Sequence, residues 1–105
     1  MKPSSEWTAG WKPRAAREAA RALAWWAANR PLAPDLLERE IVEAIELLEI
    51  CPTAGAPSDV PRVRGLVLQR TRYLLFYSLD FHSRRIEILS LWSSLRGRTP
   101  KLRGV

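Results

Sequence analysis

The sequence predicts an α+β fold with a short N-terminal strand, a two-helix hairpin and then a three-stranded antiparallel sheet. Two patterns predict it. Apolar residues recur at helical spacing in the first half of the chain, and short runs rich in Val, Ile, Leu, Tyr and Phe follow in the second half. The chain has 105 residues, the usual size of one domain, so we expect residues 1–105 to share a single core.

The first predicted element is a short strand at residues 6–11, where apolar and polar or small residues alternate. Helix one follows at residues 14–30, because Pro13 suits a first helical turn and the Ala-rich interior has a high helix propensity. Since successive helical residues are about 100° apart, one side of this helix is apolar. Its apolar face is predicted to consist of Ala16, Ala19, Leu23, Trp26 and Ala27.

The second predicted helix begins after the turn at residues 31–34, with Asp35 near its start. It carries six acidic residues and only one basic residue, Arg39, so its outer surface is predicted to be acidic. The stretch 52–61 is rich in Pro and is predicted to be a connecting loop. The apolar stripe of helix two is predicted to consist of Leu37, Ile41, Ala44, Ile45 and Leu48.

Three β-type runs follow at residues 62–69, 72–80 and 85–92, and the short gaps between them imply antiparallel hairpins. The middle run has apolar residues on both faces, so we expect it to be central, with the helices on one face. Two helices can cover only one side of a sheet. Partly exposed apolar residues on the other side would suit a protein partner. The end of the chain, from about residue 93, is predicted to be a basic irregular tail.

Charge is unevenly distributed along the chain. The net charge is +6, yet the part from Arg62 onward has ten Lys and Arg residues against two acids, and the first 61 residues have seven against nine. Such asymmetry indicates a basic surface that meets an acidic partner. Nucleic acid, an acidic protein and anionic lipid all have the required charge.

Several classes of site lack their residues. Cys51 is the one cysteine, so the chain forms no intrachain disulfide, and one His with one Cys cannot build a zinc site. There is no Gly-rich phosphate loop and no nucleophile elbow, so we expect no metal and no cofactor. No apolar run reaches the ~18 residues of a membrane span, and no signal peptide is recognisable. We therefore expect a cytoplasmic protein with no membrane contact.

Trp25 is the residue of helix one that we single out for binding. It falls on the polar face near Arg21, which indicates either a surface cation–π pair or an interface anchor. A desolvated tryptophan contributes much of the binding energy of an interface. The neighbouring Trp26 falls on the apolar face and is predicted to be core.

Cations are abundant along the predicted sheet, and they could converge on one partner. Guanidinium groups suit phosphate or carboxylate recognition, because their planar fork donates two parallel hydrogen bonds. The alternative is a solvated rim that keeps the protein soluble. The basic residues concerned are Arg62, Arg64, Arg70 and Arg72 around the first hairpin, and Arg96, Arg98 and Lys101 after the last strand.

RNA cleavage without a metal would need a base, an acid and cations around one phosphate. If the protein is a ribonuclease, Arg62, Arg64 and Arg72 would stabilise charge, and Tyr73 or Tyr77 would assist. The tyrosines also have an ordinary interpretation as core residues. His82 lies in a predicted turn, where a surface role is the usual one.

The order of the elements and several stretches of sequence resemble the RelE/ParE family of bacterial toxins, and its ParE branch in particular. The stretch 11–15 resembles the entry into helix one, and 47–57 resembles the end of helix two. The stretches 70–77 and 86–98 resemble the last two strands and the arginine-rich end. The resemblance implies a toxin of a type II toxin–antitoxin pair, of the kind that stabilises a plasmid or genome. A cognate antitoxin with an acidic segment that folds on binding would keep it inactive.

The resemblance leaves two targets, because RelE-like toxins cut messenger RNA on the ribosome and ParE-like toxins are associated with inhibition of DNA gyrase. When Tyr77 is aligned with the tyrosine of the RelE pattern, Leu74 stands where that pattern has an arginine, and Arg72 is two positions away. Ser93 stands where the ParE pattern usually has a histidine. Both departures remove groups that a nuclease would use.

Gyrase inhibition without catalysis is therefore our first hypothesis. A ribosome-dependent messenger RNA endoribonuclease is the second, and a non-toxic nucleic-acid-binding module is the third. The expected contacts with the target are Arg70, Arg72, Trp92, Arg96, Arg98 and Lys101. The expected contacts with the antitoxin are Arg21, Trp25, Arg64, Tyr77 and Arg85.

Overall fold

The computed structural model describes residues 6–96 and 100–102, and in them two helices pack against one face of a five-stranded sheet. The sheet order is β1-β5-β4-β3-β2, with β1 parallel to β5 and the other neighbours antiparallel. The predicted α+β class is confirmed. The elements are β1 Thr8–Trp11, α1 Pro13–Asn29, α2 Leu36–Ile50, β2 Ala56–Pro57, β3 Val63–Leu68, β4 Tyr73–Asp80, β5 Arg85–Ser93 and a 3₁₀ turn at Ser94–Arg96.

The sheet is larger than the sequence predicted. β2 lies inside the predicted loop 52–61, where Ala56 pairs with Gly65 and Pro57 pairs with Arg64. A strand of two residues has no alternating pattern to detect, and proline is tolerated in it because β2 is an edge strand. β1 joins the same sheet on the opposite side, beside β5. The predicted three-stranded antiparallel unit is therefore the centre of a five-stranded sheet.

Helix α1 forms where it was predicted, but its buried face differs by about one residue. Ala15 and Trp26 are buried, whereas Ala16 and Ala27, which were predicted to be buried, are exposed. Alanine occurs all around this helix, so the apolar pattern could not determine which side packs on the sheet. The prediction for Trp26 is confirmed, and its indole N–H donates to the carbonyl oxygen of Ala33 at 2.9 Å. This bond fixes the end of α1 to the turn that follows.

Helix α2 buries the stripe that the sequence predicted, but it also buries an acid. Glu40 is 7% exposed. Its carboxylate accepts hydrogen bonds from the backbone N–H groups of Arg70 at 2.8 Å and Thr71 at 3.0 Å, and from the Thr71 hydroxyl at 2.7 Å. Three donors satisfy a carboxylate that would otherwise be costly to bury. Glu40 therefore joins α2 to the turn between β3 and β4.

The central strand β4 has apolar residues on both faces, as predicted. Leu75 and Tyr77 belong to the core beneath the helices, and Phe76 belongs to a second cluster that contains no helix residue. We expected apolar residues of this second face to be partly exposed, and this is so for Val67 of β3, which is 44% exposed, but Phe76 and Trp92 are only 6% and 8% exposed. Leu102 packs in the same cluster and is itself buried. The C-terminal segment thus covers part of the face that the helices leave open.

The C-terminal segment begins later than predicted. Ser93 still belongs to β5, and the next three residues form the 3₁₀ turn rather than an irregular chain. Farther along, Arg14 of α1 donates a hydrogen bond to the carbonyl oxygen of Lys101. These contacts order the described part of the tail against the rest of the fold.

Replacing the buried acid tests how much the contact with the turn stabilises the fold. Glu40→Gln should lower the free energy of unfolding by about 2–3 kcal/mol, because hydrogen bonds to a charged group are lost and the amide places N–H against N–H. Glu43→Gln is the matched control on the same helix. Glu43 makes an exposed ion pair with Arg70 at 3.5 Å, so its loss should cost about 0.5 kcal/mol or less. Urea denaturation followed by tryptophan fluorescence measures both variants, and equal losses would contradict this role of Glu40.

Candidate binding surfaces

The arginines around the first hairpin lie at two different ends of the sheet. Arg62 and Arg64 lie at the start of β3, and Arg70 and Arg72 follow its end. β3 has six residues, and at about 3.3 Å per residue the two pairs are about 20 Å apart along the strand. The four side chains therefore cannot converge on one small group.

The turn surface, as we name residues 70–72 and 94–96, brings two predicted basic segments together. The backbone N–H of Ser94 donates to the carbonyl oxygen of Arg72 at 2.8 Å, and the Ser94 hydroxyl donates to the same oxygen. In the adjacent pair of the ladder, Tyr73 of β4 lies opposite Ser93 of β5. Arg72 is thus held beside the 3₁₀ turn that opens the basic end of the chain.

The two arginines of the turn surface differ in their partners. The Arg70 guanidinium lies 3.5 Å from the Glu43 carboxylate, in an exposed ion pair. Arg72 is exposed, and its guanidinium has no hydrogen bond or ion pair with any residue that the structure describes. Its backbone has a φ of 66°, in the left-handed region that disfavours a side chain. Arg72 therefore presents a cation with no partner among the described residues, on a turn that Glu40 and Ser94 hold in place.

The other predicted contacts in this region have different environments. Trp92 is buried in the cluster that contains Leu102, so little of its ring is available in this arrangement. Lys101 is exposed. Arg96 ends the 3₁₀ turn, and Arg98 lies outside the described residues. Direct contact of these residues with a target stays a prediction.

The opposite end of the sheet carries an open groove, which we name the β3 groove. It is lined by residues 57–58, 60–64 and 78–81. Phe81 is 67% exposed beside it, and its ring lies edge-on to Trp7 with the ring centroids 5.3 Å apart. Arg62 is exposed in this groove, with no hydrogen bond or ion pair to the described part of the chain.

Arg64 is partly used to hold the neighbouring loop. Its guanidinium donates to the carbonyl oxygen of Gly55 at 2.7 Å and approaches that of Thr53 at 3.4 Å. Neither contact is an acid, so the positive charge of Arg64 is not neutralised within the described residues. A Cβ at position 55 would lie 2.7 Å from the Tyr77 hydroxyl oxygen, so the loop requires glycine there.

The Tyr77 hydroxyl also holds this loop, and we name its hydrogen bonds with Gly55 and Pro52 the lock. Tyr77 is fully buried; its hydroxyl accepts from the Gly55 N–H at 2.9 Å and donates to the Pro52 carbonyl oxygen at 2.8 Å. Burial raises the pKa of this hydroxyl above its ordinary value. A hydroxyl that is buried, fully bonded and reluctant to lose its proton is suited to fixing a loop. It offers no surface to an antitoxin and no proton to a substrate in this arrangement.

Trp25 is exposed, as the sequence predicted, but its cationic neighbour is different. The Trp25 side chain is 48% exposed, and the Arg30 guanidinium lies 5.0 Å from its ring centroid and 5.4 Å from that of Trp26. Arg21 is exposed, and no cation–π contact joins it to Trp25 within the described residues. Arg30 caps the end of α1, where the chain turns back toward the two rings. The aromatic surface is therefore Trp25 with Arg30.

The turn between β4 and β5 is stabilised by its own acid. Asp80 accepts backbone hydrogen bonds from Ser83 at 3.2 Å and His82 at 3.0 Å, and these bonds lower the pKa of its carboxyl group. His82 is exposed. Arg85 follows the turn and lies 3.1 Å from the carboxylate of Glu87. Arg85 is thus paired within the fold, and its contact with an antitoxin stays a prediction.

The residues that RNA cleavage would need are not assembled. Arg62 and Arg72 lie at different ends of β3, and Tyr77 is buried. Tyr73 packs edge-on against Trp26, with the ring centroids 6.4 Å apart. A catalytic set must reach one phosphate within hydrogen-bond distance. The predicted ribonuclease residues therefore do not form one site in the described structure.

Two acids matter more than their sequence pattern suggested. The acids of helix two were predicted to form an acidic outer surface, yet Glu40 is buried, and Glu18 of α1 accepts from the Ser90 hydroxyl at 2.8 Å and the Leu91 N–H at 3.1 Å on β5. The available signal for Glu40 was its spacing, three residues after the buried Leu37 and four before the buried Ala44. Amphipathic patterns treat every acid as solvated, so the prediction missed both contacts.

The described residues, 6–96 and 100–102, form neither a metal-binding cluster nor a membrane-spanning helix. No group of three His, Cys, Asp or Glu residues in this part of the chain could hold a metal ion. Neither of its helices is long and apolar enough to cross a membrane.

Comparison with known proteins relates the chain to bacterial toxins. Residues 10–97 match the family model described as the ParE toxin of the type II toxin–antitoxin system parDE. A structure of the chromosomal ParDE TA system from P. aeruginosa is similar, with a TM-score of 0.72 and 25% identity over 86% of this chain and 98% of that chain. A mutant of the E. coli toxin RelE in the free state gives a TM-score of 0.48 and 17% identity over 87% of this chain and 85% of that chain. No curated protein matches the sequence.

Tyr77→Phe tests the lock between β4 and the loop. The variant should lose about 1–3 kcal/mol of unfolding free energy, because the Gly55 N–H and the Pro52 carbonyl lose a buried partner. A raised pKa means that the tyrosine contributes stability below pH ~10 that is lost as the pH rises through its folded pKa, so the variant should also lose less stability than the wild type above pH ~10. Denaturation at pH 7 and at pH 10–11 measures both effects. A variant as stable as the wild type at pH 7 would contradict the lock.

Proposed function

Because the chain belongs to the ParE toxin family of type II toxin–antitoxin systems, we propose that it inhibits DNA gyrase by binding and that a cognate antitoxin neutralises it. The family predicted from the sequence is confirmed by the match over residues 10–97 and by the similar ParDE structure. The target and the antitoxin are the parts that we propose.

The observation that carries the proposal is the state of Arg72. Its guanidinium is exposed and has no partner among the described residues, while its backbone is fixed by the bond from Ser94 and by the contacts of Glu40 with the preceding turn. A cation on a rigid turn loses little conformational freedom when it binds. This arrangement supports binding to an acidic surface of a target or to DNA held by it. It supplies no acid or base for a reaction.

The same geometry makes the ribonuclease hypothesis weaker. Metal-free cleavage requires an acid and a base beside the cations, and the described Tyr77 hydroxyl is sealed in the core. A plain nucleic-acid-binding module would share the basic surface. Only inhibition of a target enzyme distinguishes the toxin from that module.

We propose that the antitoxin is acidic and contacts the exposed aromatic surface as well as the basic sheet. Trp25 with Arg30 offers a flat apolar ring beside a cation, which suits an interface anchor. An acidic segment that folds on binding can cover separate surfaces of one partner. We retain Arg21 and Arg64 as further contacts, because both are charged and have no acidic partner within the described residues.

Arg72→Ala tests the proposed target contact. In an assay with purified gyrase, the wild-type protein should inhibit DNA supercoiling. At least about tenfold more of the variant should be needed for the same inhibition, because a charge-assisted contact is removed. Arg17→Ala is the matched control, because Arg17 is an exposed arginine of α1 that belongs neither to the turn surface nor to the β3 groove. It should inhibit like the wild type.

A translation assay with mapping of the message ends separates the hypotheses. Codon-positioned cuts with unaffected supercoiling would refute gyrase inhibition and favour the ribonuclease. Binding of nucleic acid with no effect in either assay would favour the non-toxic module.

A further inference from the structure

Three arginines have a backbone conformation that the fold does not favour for a side chain. Among the described residues, the non-glycine residues with positive φ are Arg62 at 68°, Arg72 at 66° and Arg84 at 55°, and each comes directly before a strand. Glycine adopts this region without steric cost, whereas a Cβ collides with the backbone there. The turns themselves would therefore be more stable with glycine at these positions.

Two of these arginines have a role that offsets this steric cost, either within the fold or in the proposed function. Arg84 forms an ion pair with Glu6. Arg72 belongs to the turn surface, which we propose meets the target. Arg62 has neither, since its guanidinium bonds to no described residue and it lies about 20 Å from the turn surface. Residues in a strained backbone conformation that no contact within the fold offsets are concentrated at functional sites.

The surroundings of Arg62 indicate what it binds. The β3 groove is lined by the rings of Pro57, Pro61 and the exposed Phe81, and by the partly buried Leu79. Such walls suit the apolar side chains of a polypeptide better than a sugar–phosphate backbone.

The charges of the groove favour a carboxylate. Arg62 and Arg64 have no acidic partner among the described residues. Asp80, the acid of the groove, already accepts hydrogen bonds from His82 and Ser83. An arginine at an apolar wall binds a carboxylate through two parallel hydrogen bonds. With an acid already in place and only two cations among the described residues that line it, the groove offers little attraction for a polyanion.

We propose that the β3 groove is a docking subsite for an extended segment of the antitoxin, with an Asp or Glu carboxylate of that segment on Arg62 and an apolar side chain against Phe81. The inference rests on the proposed function, because it assumes that an antitoxin exists. It adds that the antitoxin holds the toxin at a surface separate from the one that meets the target. Arginine at position 62 then serves this contact at a cost to the stability of the fold.

Arg62→Gly tests the subsite, and the fold should tolerate it because glycine suits the φ of this position. The probe is the purified protein encoded by the gene adjacent to this one. The urea midpoint of the variant should equal or exceed that of the wild type, while the dissociation constant for the probe should rise at least about tenfold. Arg62→Lys keeps the charge without the fork and should give a smaller rise.

Arg72→Gly is the matched control, since it relieves the same backbone conformation at the other end of β3. Its urea midpoint should shift in the same direction, and its affinity for the probe should stay within about twofold of the wild type. An unchanged affinity of Arg62→Gly would overturn the subsite. The subsite would also be overturned if Arg62→Gly lost affinity for a double-stranded DNA oligonucleotide but kept its affinity for the probe.

Failure of the proposed function and failure of the subsite alone give different results. If the wild-type chain inhibits neither gyrase nor translation and does not bind the protein of the adjacent gene, the proposed function fails, and the subsite fails with it. If the wild type inhibits gyrase and binds the probe but Arg62→Gly binds equally well, only the subsite is overturned.

Discussion

The arrangement of the turn surface depends on the hydrogen bonds that the Glu40 carboxylate accepts. This carboxylate accepts two backbone N–H groups and one hydroxyl from residues 70–71, and so fixes the β3–β4 turn to α2. The next residue, Arg72, accepts two hydrogen bonds from Ser94 through its carbonyl oxygen. A buried acid in the helix layer thus sets the position of a turn, and the turn sets the position of the chain after β5. A neutral side chain at position 40 could not satisfy the same donors.

This sequence of contacts explains why a basic protein can present different cations to different partners. The turn surface is held by these hydrogen bonds and carries Arg72 without an acidic partner among the described residues. At the other end of β3, the loop before that strand is held by the Tyr77 hydroxyl and by Arg64, and Arg62 projects beside it into an open groove. About 20 Å of strand separates the two regions. Our proposal therefore assigns inhibition to one surface and neutralisation to the other.

The sequence predicted the helices, the central strands and the core tryptophan, because burial imposes periodic patterns that are readable in one chain. It could not predict β2, since two residues form no pattern, nor the buried side of α1, since alanine occurs on every side of that helix. It also placed four arginines together that β3 holds apart. Glu40 and Tyr77 bond to residues 31 and 25 positions away in the chain, and no local pattern encodes such pairings.

Our proposal is that the toxin meets gyrase through the turn surface and leaves the β3 groove free. Site-specific photo-crosslinking tests it most directly, because each surface has an exposed apolar residue that a photoreactive phenylalanine analogue can replace. Leu95, which is 77% exposed, lies on the turn surface, and Phe81, which is 67% exposed, lies beside the groove. Crosslinks to gyrase should form from position 95 and not from position 81. Crosslinks to gyrase from position 81 alone would contradict this proposal.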